Sequence, residues 1–280
     1  MKKTSVFIFL WLSINSFSQS ISLERVNKIK SATVRIFVEN SNSVGSGFFI
    51  DDKGLLVTAW HVIAPAIITN SNGKIIDIKR IFVTIDDTLN KEFSIPSEFF
   101  FDNTLNKQAF LFDFCMLKPT TNLQQKTAFL KLGNFDACNE GQEIITCGYP
   151  IGIPQKFLSR GIISTKFIDT LVYSNTKINR TQALLDITMN RGNSGGAIVL
   201  LGDSPNNDQV IGIADFIINP IGGMADNLIK KFDEASGAIQ LGGVDPNQTF
   251  SEFTKILSSI SIGVSGCISI NHIKSAIRIK

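Results

Sequence analysis

Between Ile21 and Ile217 the chain runs as short β-forming segments broken at close intervals by turn residues. Runs of this kind, at regular spacing, predict an all-β sandwich or barrel, because each half-buried strand needs only a few alternating residues before the chain must reverse. "ATVRIFVEN" alternates and is followed by the turn "NSVGSG". "GFFIDD" and "GLLVTAW" predict a hairpin about Asp51–Gly54, and "IFVTIDD" and "FLFDFCMLK" follow. Pro119 to Gly141, with its polar "TTNLQQK", reads as a connector. Strands then resume in "EIITCGYP", "RGIISTKFI", "TQALLDITM", "GAIVLL" and "QVIGIADFII". Two β-modules joined by a linker are the simplest organisation. After Ile217 the spacing becomes helical in "MADNLIKKFDEASGAI" (Met224–Ile239) and "FSEFTKILSSI" (Phe250–Ile260). "SIGVSGCISI" returns to β, and "NHIKSAIRIK" predicts a closing helix with Asn271 as its N-cap. No internal repeat or low-complexity tract is evident.

The composition agrees with a globular chain: 44% of residues are hydrophobic, 18% are charged and 22 are Phe. The net charge is +3, and Lys2 and Lys3 account for two of the three, so the body of the chain is too near neutral to suggest a nucleic-acid partner. Those lysines open "MKKTSVFIFLWLSINSFSQS", where Val6–Leu12 is apolar and Ser16, Phe17 and Ser18 give a small-residue exit. The segment predicts an export signal over residues 1–18. Its apolar run is far short of the about 20 residues needed to span a bilayer, so no stable membrane anchor is expected after cleavage. An exported chain is permitted disulfides, yet Cys115, Cys138, Cys147 and Cys267 show no framework spacing. Cys115 and Cys147 lie within apolar runs, which favours buried thiols. No Cys-x-x-Cys or His/Cys cluster implies a metal, and no cofactor motif is present.

"RGNSGGAIVLL" places Ser194 in a glycine-rich turn ahead of a β-run. A serine hydroxyl becomes a useful nucleophile only beside a base, and the chain has two histidines, His61 and His272. "GNSGG" also fits the nucleophile elbow, which needs the order Ser, acid, His and would recruit Asp245 and His272. That elbow must lead into a helix, whereas "AIVLL" continues as a strand, and the long helices of a parallel sheet are lacking before it. The other order takes His61, in the β-run "LLVTAWHV", and Asp113, in "FLFDFCMLK". A carboxylate amid so much apolar sequence is costly to bury without a partner, and the Nδ1–H of a histidine is such a partner.

Taken together these stretches resemble the chymotrypsin-fold, trypsin-like serine peptidases, specifically the bacterial HtrA/Deg type. "GSGFFIDDKGLLVTAWHV" is similar to the family's glycine turn, hairpin and catalytic histidine, "FDFCMLK" to its acid strand, and "LGNFDACNEGQEIITCGYPIG" to its inter-barrel segment. "RGIISTK" and "LLDITMNRGNSGGAIV" resemble the activation-loop strand and the nucleophile loop, "VIGIADF" the strand beside the specificity pocket, and "SIGVSGCISINHIKSAI" the final strand and helix. The resemblance implies an all-β fold of two six-stranded antiparallel barrels with a helical insertion and a short C-terminal helix. It implies a peptidase domain over residues 19–280, with barrels at about 29–118 and 141–280, a linker at about 119–140 and the insertion at about 219–259.

The same resemblance implies an exported, periplasmic or secreted serine endopeptidase. His61, Asp113 and Ser194 would be its triad, and the Gly192 and Ser194 amides its oxyanion hole. Its partners would be protein or peptide substrates, and it would use neither metal nor cofactor. Thr188, Ala214 and Asp215 fall at the primary pocket. Whether Ala214 or Asp215 faces it is open: Asp215 would select a basic residue, and without it the pocket is neutral. Asn193 stands where zymogen-type relatives carry an aspartate, so activation by N-terminal clipping is not expected. Trp60 is bulkier than the residue usual before the histidine. The chain ends at Lys280, where HtrA-type proteins usually continue into a PDZ domain. The alternative is a catalytically silent binding or scaffold protein on the same fold.

Overall fold

In the computed structural model, which describes residues 20–86, 89–101, 104–105, 107–173, 175–217 and 263–278, the β-runs close into two six-stranded antiparallel barrels. The leader, the predicted helices Met224–Ile239 and Phe250–Ile260, and the insertion at about 219–259 lie outside the described residues.

A helix that alternation did not predict comes first, α1 (Leu23–Ala32). Its N-cap is Ser22, whose hydroxyl accepts the Arg25 N–H. The first barrel follows with β1 (Thr33–Val38), β2 (Val44–Phe49) and β3 (Leu56–Thr58), then the short helix α2 (Trp60–Ile63). A small hairpin, β4 (Ile67–Thr69) and β5 (Ile75–Ile78), stands off the barrel before β6 (Ile81–Ile85) and β7 (Leu89–Ser94). Another two-stranded piece, β8 (Phe100–Phe101) and β9 (Thr104–Leu105), leads to helix α3 (Lys107–Leu111) and β10 (Cys115–Pro119). The second barrel comprises β11 (Glu143–Gly148), β12 (Phe157–Tyr173), β13 (Thr176–Asp186), β14 (Ala197–Leu200), β15 (Gln209–Ile217) and β16 (Val264–Ser269), closed by helix α4 (Ile270–Arg278).

The rings run β1-β2-β3-β10-β7-β6 and β11-β12-β13-β16-β15-β14. Each therefore closes in the same order, first, second, third, sixth, fifth, fourth, although the two halves share no visible sequence repeat. Alternation sets the faces. On β1, Val34, Ile36 and Val38 are buried while Arg35 and Phe37 are only partly covered, and Phe37 stacks on Phe82 of β6 outside the barrel. Phe48, Leu56, Ile81 and Leu117 fill the first core. Each contributes about 1.5–3 kcal/mol relative to exposure. The two faces of β11 serve different cores: Ile144 belongs to the second barrel, whereas Ile145 and Cys147, with Ala197 and Val199 of β14, join the first barrel's cluster. This shared apolar seam fixes one barrel against the other.

Two expectations need correction. Asn271 is not the N-cap of α4, which begins one residue earlier. Ser269 caps it, its hydroxyl accepting the Asn271 N–H at 3.2 Å, and the Asn271 carboxamide instead accepts the Phe135 N–H. The runs "RGIISTKFI" and "TQALLDITM" extend further than predicted. β12 and β13 stay paired out to Tyr173↔Thr176, and only Gln182–Asp186 of β13 also pair with β16. All four cysteines are buried, with no disulfide between them.

Candidate active site

Thr58 ends β3, and Ala59, still extended, turns the chain into the single helical turn α2. His61 therefore sits on a helix rather than in the β-run the sequence suggested. The Ser43 hydroxyl holds the turn by donating to the Val62 carbonyl at 2.7 Å.

Asp113 also lies off the strand where "FLFDFCMLK" placed it. Helix α3 ends in a Schellman-type turn: the Phe114 N–H bonds the Ala109 carbonyl at 3.0 Å and the Asp113 N–H the Phe110 carbonyl. Asp113 occupies the left-handed position of that turn, at φ +46°. Asp is one of the few non-glycine residues that tolerates this region. The turn presents the whole carboxylate to α2. Asp113 Oδ1 accepts the His61 backbone N–H at 2.9 Å, and Oδ2 stands 2.6 Å from His61 Nδ1. The backbone bond orients the carboxylate and the ring bond orients the imidazole.

Ser194 is fixed from two sides. Its carbonyl accepts the Ser46 N–H of β2 at 2.8 Å, and the next residue, Gly195, donates to the Ala214 carbonyl of β15 at 2.8 Å. Ser46 binds the loop again through its hydroxyl, which donates to the Gly192 carbonyl at 2.7 Å and accepts the Tyr149 N–H at 2.9 Å. The serine turn thus rests on both barrels. Gly45 lies between it and α2, since a Cβ there would meet Val62 at 2.5 Å and the Ser194 carbonyl at 3.1 Å. Asp215, adjacent to Ala214, reaches the His61–Asp113 pair, 3.9 Å from His61 Nδ1. The Ser194 turn and α2, which carries His61, thus both meet β2 at Gly45, and Asp215 of β15 lies beside the His61–Asp113 pair. The imidazole is 46% exposed, while the Asp113 and Asp215 side chains are 15% and 14% exposed. Among the described residues the Ser194 hydroxyl makes no hydrogen bond to His61.

The titration behaviour follows from this packing. Burial of the His61 ring lowers its pKa, but the hydrogen bond and charge of Asp113 and the charge of Asp215 outweigh it and hold the ring above the ordinary imidazole value. Burial would raise Asp113, and its bonds to His61 and Asp215 reverse that and hold it below the usual carboxylate range. Asp215 is pushed up to about 8, first by burial and then by its hydrogen bond to, and repulsion from, Asp113.

His61, Asp113 and Asp215 form the one group among the described residues whose donor atoms converge as metal ligands would, within 4.8 Å of one another. The 2.6 Å contact between His61 and Asp113 is too short for two ligands of one ion, which stand about 3.3 Å apart around a metal with 2.0–2.1 Å bonds. It is a hydrogen-bond distance.

Of the proposed pocket residues, Thr188 is exposed and Ala214 is buried against the serine loop. The sequence left open where Asp215 points. The residue falls at a β-bulge, where the register of β15 on β16 shifts between Ala214 and Phe216, and a bulge re-aims its side chain, here toward Asp113. Alternation along "VIGIADFI" had no means of showing this. The available signal was the one applied to Asp113, a carboxylate amid apolar sequence that must have a partner. His272 is engaged elsewhere: its Nε2 accepts the Thr181 N–H at 3.1 Å and its ring stacks on Phe112 at 4.1 Å. Burial holds it below the ordinary imidazole value.

A family model described as the trypsin-like peptidase domain matches residues 45–213, the span that carries His61, Asp113 and Ser194. The chain belongs to the trypsin-like peptidase family. Its relatives within that family are of HtrA/Deg type. The magnetosome formation protease MamE of Magnetospirillum gryphiswaldense is 31% identical over 188 residues, 67% of this chain and 20% of MamE. The periplasmic serine endoprotease DegP of Escherichia coli is 31% identical over 185 residues, 65% of this chain and 31% of DegP. The chain thus spans about a fifth to a third of these relatives' length. A solved structure of the HtrA-type protease AlgW with a tripeptide superposes with a TM-score of 0.58 at 19% identity, covering 91% of this chain and 62% of that one, which shows a shared fold. No helix among the described residues of this trypsin-like domain is long and apolar enough to cross a membrane.

Proposed function

We propose that this trypsin-like domain is an exported, periplasmic serine endopeptidase that cleaves peptide bonds through an acyl-enzyme on Ser194. The reading rests above all on the His61–Asp113 contact at 2.6 Å, with the Ser194 turn anchored beside it on β2 and β15. Asp113 fixes the tautomer that leaves Nε2 of His61 as the base and stabilises the imidazolium as it forms. Ser194 Oγ attacks the substrate carbonyl carbon and its proton passes to Nε2. His61 then protonates the leaving amine as the peptide C–N bond breaks, and water, deprotonated by the same nitrogen, releases the acid. Hydrogen bonds between nucleophile and base are often long until substrate binds and tightens them.

The oxyanion would be held by the Gly192 and Ser194 amides. Arg191's carbonyl accepts the Ile151 N–H at 2.7 Å, and a trans peptide directs the following Gly192 N–H the opposite way, off the Tyr149–Ile151 segment. The periplasmic assignment is supported by the relatives, several of which are named periplasmic serine endoproteases. A fluorophosphonate probe tests the reading: it should label wild-type protein and not Ser194→Ala. A well-folded protein that does not label would favour the silent scaffold instead.

Specificity follows from the position of Asp215. With that carboxylate committed to Asp113 and His61, Thr188 and Ala214 leave the primary pocket without a charge. The expected preference before the scissile bond is for Val, Ile or Ala. A peptide-library cleavage profile checks it, and dominant cutting after Arg or Lys would contradict it. The discrimination available from such a pocket is about 1–3 kcal/mol per methylene, so the preference should be graded rather than absolute.

A further inference from the structure

Two carboxylates beside one histidine present a problem of charge. Asp113 and Asp215 are both largely buried, with carboxylate oxygens within 4.8 Å of each other, and His61 Nδ1 lies 2.6 Å from one and 3.9 Å from the other. Two like charges in contact away from water do not both ionise, so such pairs hold a shared proton. The donors around them decide which oxygen carries it. Asp113 already receives the His61 backbone N–H on Oδ1 and the ring N–H on Oδ2, and both bonds favour its anion. Asp215 is left as the partner that must donate.

We propose that Asp215 is a positioning residue of this site, a carboxylic acid that keeps its proton at neutral pH, donates it to the Asp113 carboxylate, and releases its hold on the His61–Asp113 pair when it ionises. This rests on the peptidase reading of His61, Asp113 and Ser194. The placement is built into the backbone. Asp215 occupies the bulge of β15, and Ala214 before it is bonded both ways to the serine loop, Gly195 N–H to its carbonyl and its own N–H to Gly196. The residue that would steady the base is thus rigidly connected to the turn that carries the nucleophile.

The charged and titratable groups facing Asp215 come from each neighbouring element: Asp113 from the turn after α3, His61 from α2, Arg180 from β13 and Cys267 from β16. Arg180 and His61 pull toward the anion, but Arg180 is also held by Asp169 at 2.6 Å. Burial and Asp113 prevail and push Asp215 up to about 8. The consequence for activity has a definite sign. Turnover needs neutral His61, so it rises with pH through a midpoint above the ordinary imidazole value of about 6.5. Above about 8 Asp215 becomes an anion beside the Asp113 anion, their hydrogen bond is lost, and activity falls.

The test has two arms on the full chain. In Ser194→Ala protein, which is spared self-cleavage, carboxyl-carbon NMR of labelled aspartate should show one resonance titrating near pH 8, far above the ordinary value of about 4, and absent when Asp215→Asn is added. In the kinetic arm, peptide hydrolysis against pH should be bell-shaped for wild type. Asp215→Ala should lower kcat by about 10-fold with KM little changed, as expected for loss of one hydrogen bond to a charged group. Asp215→Asn, which still donates but cannot ionise, should restore part of that loss and remove the alkaline limb. An Asp215 resonance confined to the ordinary carboxylate range overturns the proposal. So does an alkaline limb that persists in Asp215→Asn, or one that vanishes with EDTA, which would put a cation where the proton is placed. Wild-type protein that neither hydrolyses peptides nor labels at Ser194 overturns the peptidase reading, and the positioning role with it. The NMR arm needs no turnover and reads the proton separately.

Discussion

Ser194→Ala, His61→Ala and Asp113→Asn are each expected to lower kcat by about 10⁴-fold or more while leaving the fold intact. The three groups act on one proton and one acyl transfer, so losing any of them removes most of what the others contribute. The choice of Asn for Asp113 matters. Asp113 sits at φ +46° in the turn that ends α3, a conformation Asn adopts readily and Ala does not. Asn also keeps an oxygen for the His61 backbone N–H, so the loss can be assigned to the ring rather than to a disturbed turn. His61 is half-exposed, and its removal leaves no cavity to destabilise the barrel. His272→Ala is the discriminating control, because the elbow reading would make it the base. The structure gives it to the Thr181 N–H and the face of Phe112, so most turnover should survive. Steady-state kinetics with circular dichroism on the four variants settle it. An active His61→Ala protein would remove His61 from the mechanism altogether.

The parts of this molecule that were legible in the sequence are those governed by local pattern. Alternation in "ATVRIFVEN" specifies one buried face of β1, and the Asp51–Gly54 turn fixes the register of β2 on β3. The same logic missed α1, whose apolar residues are few, and placed His61 and Asp113 on strands because flanking residues are β-formers. Their actual positions depend on how the chain leaves regular structure, by one helical turn after Thr58 and by a left-handed residue after α3. Asp215 was legible as a candidate pocket residue and not as a partner of Asp113, since a bulge against β16 decides where it points. Residues distant in the chain and held by backbone bonds across the two barrels, such as Ser46 against Gly192, leave no periodic trace. Export, the insertion and the substrate itself are likewise matters that local alternation does not encode.

Gly195→Ala should be strongly damaging although it touches no catalytic side chain. Gly195 lies at φ +86°, and a Cβ there would stand 2.2 Å from the Ser46 carbonyl oxygen, 2.4 Å from Thr58 Oγ1 and 2.8 Å from the Ala59 N. None of the three can retreat cheaply. The Ser46 carbonyl accepts the Thr58 hydroxyl at 2.7 Å, Ala59 leads directly into the turn that carries His61, and the Gly195 N–H is itself bonded to Ala214. Relief of the clash must move the serine turn away from β2 or α2 away from the serine, and either motion separates nucleophile from base. Gly141→Ala supplies the reference. Its φ is nearly the same, +83°, with nothing within 4 Å of the added methyl, so it carries the backbone penalty alone, about 1–2 kcal/mol. Gly195→Ala is expected to cost about 3 kcal/mol or more in denaturant melts and to abolish fluorophosphonate labelling, whereas Gly141→Ala should label like wild type. Equal destabilisation of the two, with labelling retained in both, would show that the serine turn is not wedged against Ser46 and Thr58 in the manner described.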